Sequence, residues 1–149
     1  MAIDLNAGVI AHAIQLSTAP VFLLTGVAGL LNVMAVRLAR IVDRARSLEA
    51  GWKGFDADER DAARRELQNL EKRRHVCSWA INSSTAAALL VCLVIVSLFV
   101  EEFFETNIRG IAGGLFVGSM VLVSAGLVCF LREVTLATAV TAIDHTKLR

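Results

Sequence analysis

The sequence predicts an all-α integral membrane three-helix bundle with a cytoplasmic helical hairpin between spans 1 and 2. Three observations lead there. The first is how charge is partitioned. The chain has 149 residues, 56% hydrophobic and 19% charged, with net charge +1. No Asp, Glu, Lys or Arg occurs in 5–36, 75–100 or 110–131, windows of 32, 26 and 22 residues. A soluble domain interleaves charge with apolar residues on each element. Uncharged apolar runs of about 20 residues read as membrane spans. The second observation is the one-sided distribution of Lys and Arg around those runs. The third is the helix-compatible apolar stripe inside the charged segment 37–78. A soluble globular enzyme, a disordered chain and a collagen-like chain are thereby excluded.

Residues 1–19 form an outer-surface segment. The first basic residue of the chain, Arg37, follows the first apolar run rather than preceding it. A cleaved signal peptide needs the opposite order, so the run is expected to stay as a span. Leu5, Val9, His12 or Ala13, and Leu16 fall on one helical face, as in a short helix lying on the membrane surface. Ser17-Thr18-Ala19-Pro20 then offers a hydroxyl cap with Pro in the first helical turn. One long helix kinked at Pro20 is the open alternative.

The spans are placed at 20–36, 79–100 and 111–131. Twenty-one helical residues reach roughly 32 Å, enough for the hydrocarbon core. Segment 37–78 and the tail 132–149 together hold 14 of the 15 Lys and Arg residues. The 101–110 loop holds only Arg109, beside Glu101, Glu102 and Glu105. The positive-inside rule puts the N-terminus outside, 37–78 inside, 101–110 outside and the C-terminus inside.

Within 37–78, Leu38, Ile41, Val42, Ala45 and Leu48 make one helical stripe. Gly51-Trp52-Lys53-Gly54 breaks it. Asp56, with Glu59 three residues on, has the form of a capping box. A second helix carries Ala63, Leu67 and Leu70 and runs into span 2. The two are expected to pack as an antiparallel pair standing about 20 Å into the cytoplasm.

Certain residues form a recognisable pattern: Ile14 to Leu24 (IQLSTAPVFLL), Leu30 to Val33 (LLNV), Arg37 to Arg46 (RLARIVDRAR), and Phe130 to Val134 (FLREV). Together they resemble the family of small bacterial three-span membrane proteins catalogued as domain of unknown function 2721. The resemblance covers about 14 to 140 and implies a bacterial inner-membrane protein. It implies no activity, because the family has no assigned chemistry.

In span 3, Gly110, Gly114 and Gly118 repeat every four residues, and Gly126 falls on the same row. In span 2 the corresponding row is Ala80, Ser84, Ala88 and Cys92; span 1 has Thr25 and Gly29. Such rows let backbones approach closely in lipid, where the hydrophobic drive between helices is absent. They serve packing inside one bundle or a homo-oligomer interface; two long rows favour the oligomer. At the cytoplasmic boundary, Arg37, Arg40, Asp43, Arg44, Arg132 and Glu133 form the expected charge network, with Glu133 near the arginines. Asn32, Asn82, Glu101, Glu102 and Glu105 are the candidate pore-lining or pore-mouth residues. No ionisable residue lies mid-span, which disfavours a proton relay.

No nucleophile–base pair, phosphate loop or dinucleotide fingerprint is present. Cys77, Cys92 and Cys129 are an odd set without metal-ligand spacing, and the three His lie far apart. No catalytic, cofactor or metal site is expected. The near-neutral charge argues against nucleic acid. The expected partners are a bilayer with anionic headgroups and a second copy or another membrane protein. The leading reading is a non-enzymatic integral inner-membrane protein that self-associates or serves as an accessory subunit. The alternative is an oligomeric channel or pore for small ions or solutes.

Overall fold

The computed structural model describes residues 2–104 and 109–141, with side chains over 11–12, 14–101 and 110–135. It consists of three helices: α1 (Ala2–Gly51), α2 (Ala57–Phe104) and α3 (Arg109–Thr141). All three are long and apolar enough to cross a membrane, over Ile14–Gly51, Ala57–Glu101 and Gly110–Thr135. In their most apolar windows, only 17%, 22% and 11% of residues are buried inside the chain. The remainder is an apolar surface suited to lipid, with Phe22, Trp79, Leu89 and Val121 among its most exposed side chains.

The chain passes through Ser17–Pro20 as one helix. The Ser17 and Thr18 hydroxyls both donate to the Ile14 carbonyl at 2.9 Å. They therefore satisfy themselves inside the helix instead of capping a new one. Pro20 lies within α1, where its ring removes one backbone donor. Other span hydroxyls bond back to their own helix in the same way. Ser97 donates to Val94 O at 2.8 Å, Ser119 to Phe116 O at 2.7 Å and Ser124 to Met120 O at 2.9 Å. In lipid this is the cheapest way to satisfy a hydroxyl.

Burial follows a period of seven. On α1 the buried positions include Pro20, Val27, Met34, Ile41 and Leu48. On α2 they include Ala63, Leu70, Cys77, Ser84 and Val91, with Ala80, Ala87 and Val94 three residues after the last three. On α3 they are Ala112, Ser119, Gly126 and Glu133. Seven-residue spacing with a second row at +3 is the seam of knobs-into-holes packing. On α2 that second row changes character outside the uncharged run. Its earlier members are Glu66 and Arg73, both half-buried.

Contacts divide the chain into two compact units. The first comprises Met1–Leu31 and Ser83–Ser124. Apart from Pro20, its buried residues are small or β-branched: Ser17, Val27, Ser84, Ala87, Val91, Val94, Ala112 and Ser119. A Cβ on Gly118 would meet Leu90 Cδ1 at 3.5 Å, an ordinary contact.

The second unit comprises Asn32–Asn82 and Ala125–Arg149. Its core is Ile41, Leu48, Ala63, Leu70 and Cys77, flanked by Leu38, Ala45, Trp52, Phe55, Leu67 and Ile81. Each Leu or Ile so buried contributes about 1.5–3 kcal/mol. The Cys77 thiol donates to the Met34 carbonyl at 3.5 Å, which ties α2 to α1. At the α1–α2 turn, Gly54 N–H donates to Gly51 O at 3.0 Å. The Phe55 ring packs over Gly51: a Cβ there would sit 2.9 Å from Phe55 Cζ, so the ring would have to shift. Asp56 opens α2 with a reciprocal cap. Glu59 N–H donates to Asp56 Oδ1 at 2.8 Å, and Asp56 N–H to Glu59 Oε2 at 3.0 Å. The Arg64 guanidinium lies over the Trp52 ring, 5.6 Å from its centroid.

Candidate functional site

The α3 seam runs Ala112, Ser119, Gly126 and then Glu133. The fourth step puts a carboxylate in a place the first three keep small. Glu133 is 0% exposed. A buried carboxylate is costly unless it is paired and hydrogen-bonded. Here two helices supply the partners. Arg73 Nη2 on α2 donates to Glu133 Oε1 at 2.8 Å, and Arg37 Nη1 on α1 donates to Oε2 at 3.4 Å. Both arginines stand three residues after a buried seam position, Arg37 after Met34 and Arg73 after Leu70. One carboxylate thus links all three helices within the second unit. The Arg37 guanidinium also lies over the Phe130 ring, 5.6 Å from its centroid.

Beside this cluster lies an open groove of about 590 Å3. Val33, Val36, Arg40 and Arg44 on α1 and Leu70 on α2 line it together with the cluster. Arg44 engages Glu66 in a two-pronged pair, Nε to Oε1 at 2.7 Å and Nη2 to Oε2 at 3.1 Å. That hydrogen bonding, with the Glu66 charge behind it, raises the Arg44 pKa from its ordinary value. Further along α2, Arg74 donates to Glu71 at 2.6 Å and 3.1 Å. The Arg74 hydrogen bond holds the Glu71 carboxyl below its usual range, against an opposing desolvation effect.

Of the expected boundary network, Arg37 and Glu133 are in direct contact. Arg40 is exposed and lines the same groove, and Arg44 pairs with Glu66. Among the described residues, Arg40, Asp43 and Arg132 form no ion pair, and all three are exposed. Arg73 was expected, with Lys72 and Arg74, only as a juxtamembrane topology determinant and phosphate-headgroup contact, and Glu66 was not singled out; the pairing of Arg73 with Glu133 was not foreseen. The signal that could have found them is the +3 offset from Ala63 and Leu70.

Asn32 lines the groove and Asn82 is exposed, both in the second unit. Glu101 is half-buried in the first unit and lines a separate groove of about 620 Å3 with His12, Pro20 and Phe116. The Glu102 side chain and Glu105 lie outside the described residues.

The small-residue rows divide. Ala80 and Ser84 are buried and Ala88 is half-buried. On α3, Gly126 is buried and a Cβ on Gly118 would reach Leu90, but Gly110 and Gly114 are exposed. Beyond the helix's own backbone, a Cβ at either would meet nothing within 4 Å, and the same holds for Gly113. Among the described residues, no three His, Cys, Asp or Glu side chains converge closely enough to hold a metal ion.

Three lipid-suited helices, with a charged knot where an apolar seam ends, define a three-span helical membrane protein. The chain belongs to the family described as Protein of unknown function (DUF2721), which matches residues 17–143 and so includes Arg37, Arg73 and Glu133. No curated protein and no solved structure matches the chain.

Proposed function

We infer that this is a non-enzymatic integral protein of the bacterial inner membrane that assembles laterally, with a second copy or as a subunit beside another membrane protein. The observation that carries this reading is the open glycine face of α3. Beyond the helix's own backbone, a Cβ at Gly110, Gly113 or Gly114 would meet nothing within 4 Å. Glycine weakens a helix by about 1 kcal/mol relative to Ala. Three glycines on an unpacked face give nothing back within one chain. Against another helix they permit close backbone contact and the dispersion that drives association in lipid.

The orientation that goes with this reading has the N-terminus outside, the paired ends of α1 and α2 in the cytoplasm as a hairpin, and the C-terminus inside. It rests on the 14 basic residues in segments 37–78 and 132–149. In that orientation the hairpin is the largest surface offered to a soluble partner.

The test is cross-linking in native membranes. Cys77, Cys92 and Cys129 are replaced by Ala, and single cysteines are introduced at Gly114 and, as control, at Val96 on α2. A disulfide-linked or bis-maleimide-linked product at Gly114 and none at Val96 is expected. Equal products at both, or none at Gly114, would remove the α3 interface. A cysteine at Lys53 should react with an impermeant reagent only after the cytoplasmic side is opened; labelling of intact cells would reverse the orientation.

A further inference from the structure

The groove of the second unit carries a pattern that lateral assembly does not use. Along α1, Val33, Val36, Arg37, Arg40 and Arg44 follow at helical spacing and share one face. Val33 and Val36 are each 49% exposed and end the uncharged run; the arginines begin immediately after. The face changes from apolar to cationic within one turn, and the groove of about 590 Å3 lies along that change. Its lining holds four arginines (Arg37, Arg40, Arg44 and Arg73) against two carboxylates.

Both carboxylates are already engaged, Glu133 by Arg37 and Arg73 and Glu66 by Arg44. Two positive charges are therefore in excess. Arg40 forms no ion pair among the described residues. Arg73 Nε is buried with no hydrogen-bond partner, although the same guanidinium is held by Glu133 through Nη2. A buried N–H without an acceptor is unfavourable, and an anionic oxygen is the acceptor of matching strength. Arginines fixed by a carboxylate also lose less entropy on binding an oxyanion.

We propose that this groove binds the phosphate-bearing headgroup of an anionic phospholipid from the leaflet at the basic end of the bundle. The phosphate engages Arg40 and its neighbouring arginines, and the acyl chains run along Val33 and Val36. A free phosphate would use the arginines alone and leave the apolar half of the face uncovered. The site does not depend on whether the protein self-associates.

The test is native mass spectrometry of the full chain released from mild detergent, with dioleoyl phosphatidylglycerol, dioleoyl phosphatidylcholine or inorganic phosphate added. Retention of phosphatidylglycerol at several times the level of phosphatidylcholine is expected. Arg40→Ala should reduce it about fivefold, the effect of one basic residue at an anionic surface. Arg40→Lys should keep most of the preference. Arg65→Ala, on an exposed residue outside the groove, should leave it unchanged. Thermal unfolding of each variant shows that the fold is retained. Equal retention of both lipids, or equal losses from Arg40→Ala and Arg65→Ala, would overturn the site. Saturable binding of inorganic phosphate without lipid preference would assign it to a soluble phosphate and overturn the lipid assignment.

Discussion

Replacing Glu133 by Ala probes a place where polar contacts join all three helices. The Arg73–Glu133 contact at 2.8 Å is a charge-assisted bond of good length, worth about 1.5–3 kcal/mol. The Arg37 contact at 3.4 Å is long, and that side chain is 40% exposed, so its share is closer to the surface-pair range of about 0.2–1 kcal/mol. Truncation also leaves Arg73, only 26% exposed, without its counter-charge. A fully buried pair broken on one side costs about 3–5 kcal/mol; partial exposure of both arginines lowers that. The expected loss is about 2–4 kcal/mol. At about 2–4 °C per kcal/mol for a chain of this size, the Tm should fall by about 10 °C. Glu133→Gln, which keeps the shape and one acceptor, should lose about half as much. The assay is thermal unfolding of the purified protein in mild detergent, followed by circular dichroism. In a double-mutant cycle with Arg73→Met, the combined loss should be smaller than the sum by at least about 1 kcal/mol. Tm values within about 2 °C of the parent for both Glu133 variants would show that Glu133 does not hold the helices together, because a buried carboxylate holding two guanidinium groups cannot be removed silently.

Other outcomes follow from single contacts. Gly114→Leu should not lower the Tm of the isolated chain, since a Cβ there meets nothing beyond its own helix within 4 Å and helix propensity improves, while Gly118→Leu should lower it, since Leu90 Cδ1 already stands at contact distance from a Cβ there, 3.5 Å, and the atoms beyond Cβ would overlap it; equal effects on unfolding would contradict that difference. Gly51→Ala drives a methyl to 2.9 Å from the Phe55 ring and should cost about 1 kcal/mol despite the better helix propensity of Ala; a raised Tm would show that the ring yields freely. The Glu71 carboxyl has a lowered folded-state pKa. Its contribution is therefore present above its ordinary value of 4.5 and is lost as pH falls through the lowered one. Glu71→Gln should accordingly lower stability slightly at neutral pH and have no effect in acid; a difference that persists unchanged in acid would contradict the pairing with Arg74.

Most of the fold could be read from where charge is missing. The uncharged runs mark the apolar parts of all three helices, and Asp56 with Glu59 marks the start of α2 through the cap it forms. The inward face was harder. A helix in lipid is apolar all round, so no polar face points the other way. The four-residue glycine row on α3 suited either the inside of the bundle or a second copy, and Gly110 and Gly114 are exposed. The true seam steps by seven through Ala112, Ser119, Gly126 and Glu133. Lys72, Arg73 and Arg74 are indistinguishable as a basic run. Only their register against Leu70 and Cys77 turns Arg73 inward and leaves its neighbours exposed. Pro20 was ambiguous for a local reason. A helix start and a tolerated mid-helix Pro share the same flanking Ser and Thr, and the two hydroxyls bond back to Ile14.

Lateral assembly is decided by the native mass of the protein gently extracted from its own membrane. A closed homo-oligomer or a defined complex with other polypeptides is expected, and Gly114→Leu should shift it toward the single chain. A ring of copies would bring the channel alternative forward for ion-flux assays. A lone chain, unchanged by Gly114→Leu, would contradict lateral assembly and leave the open glycine face of α3 as a surface that meets only lipid.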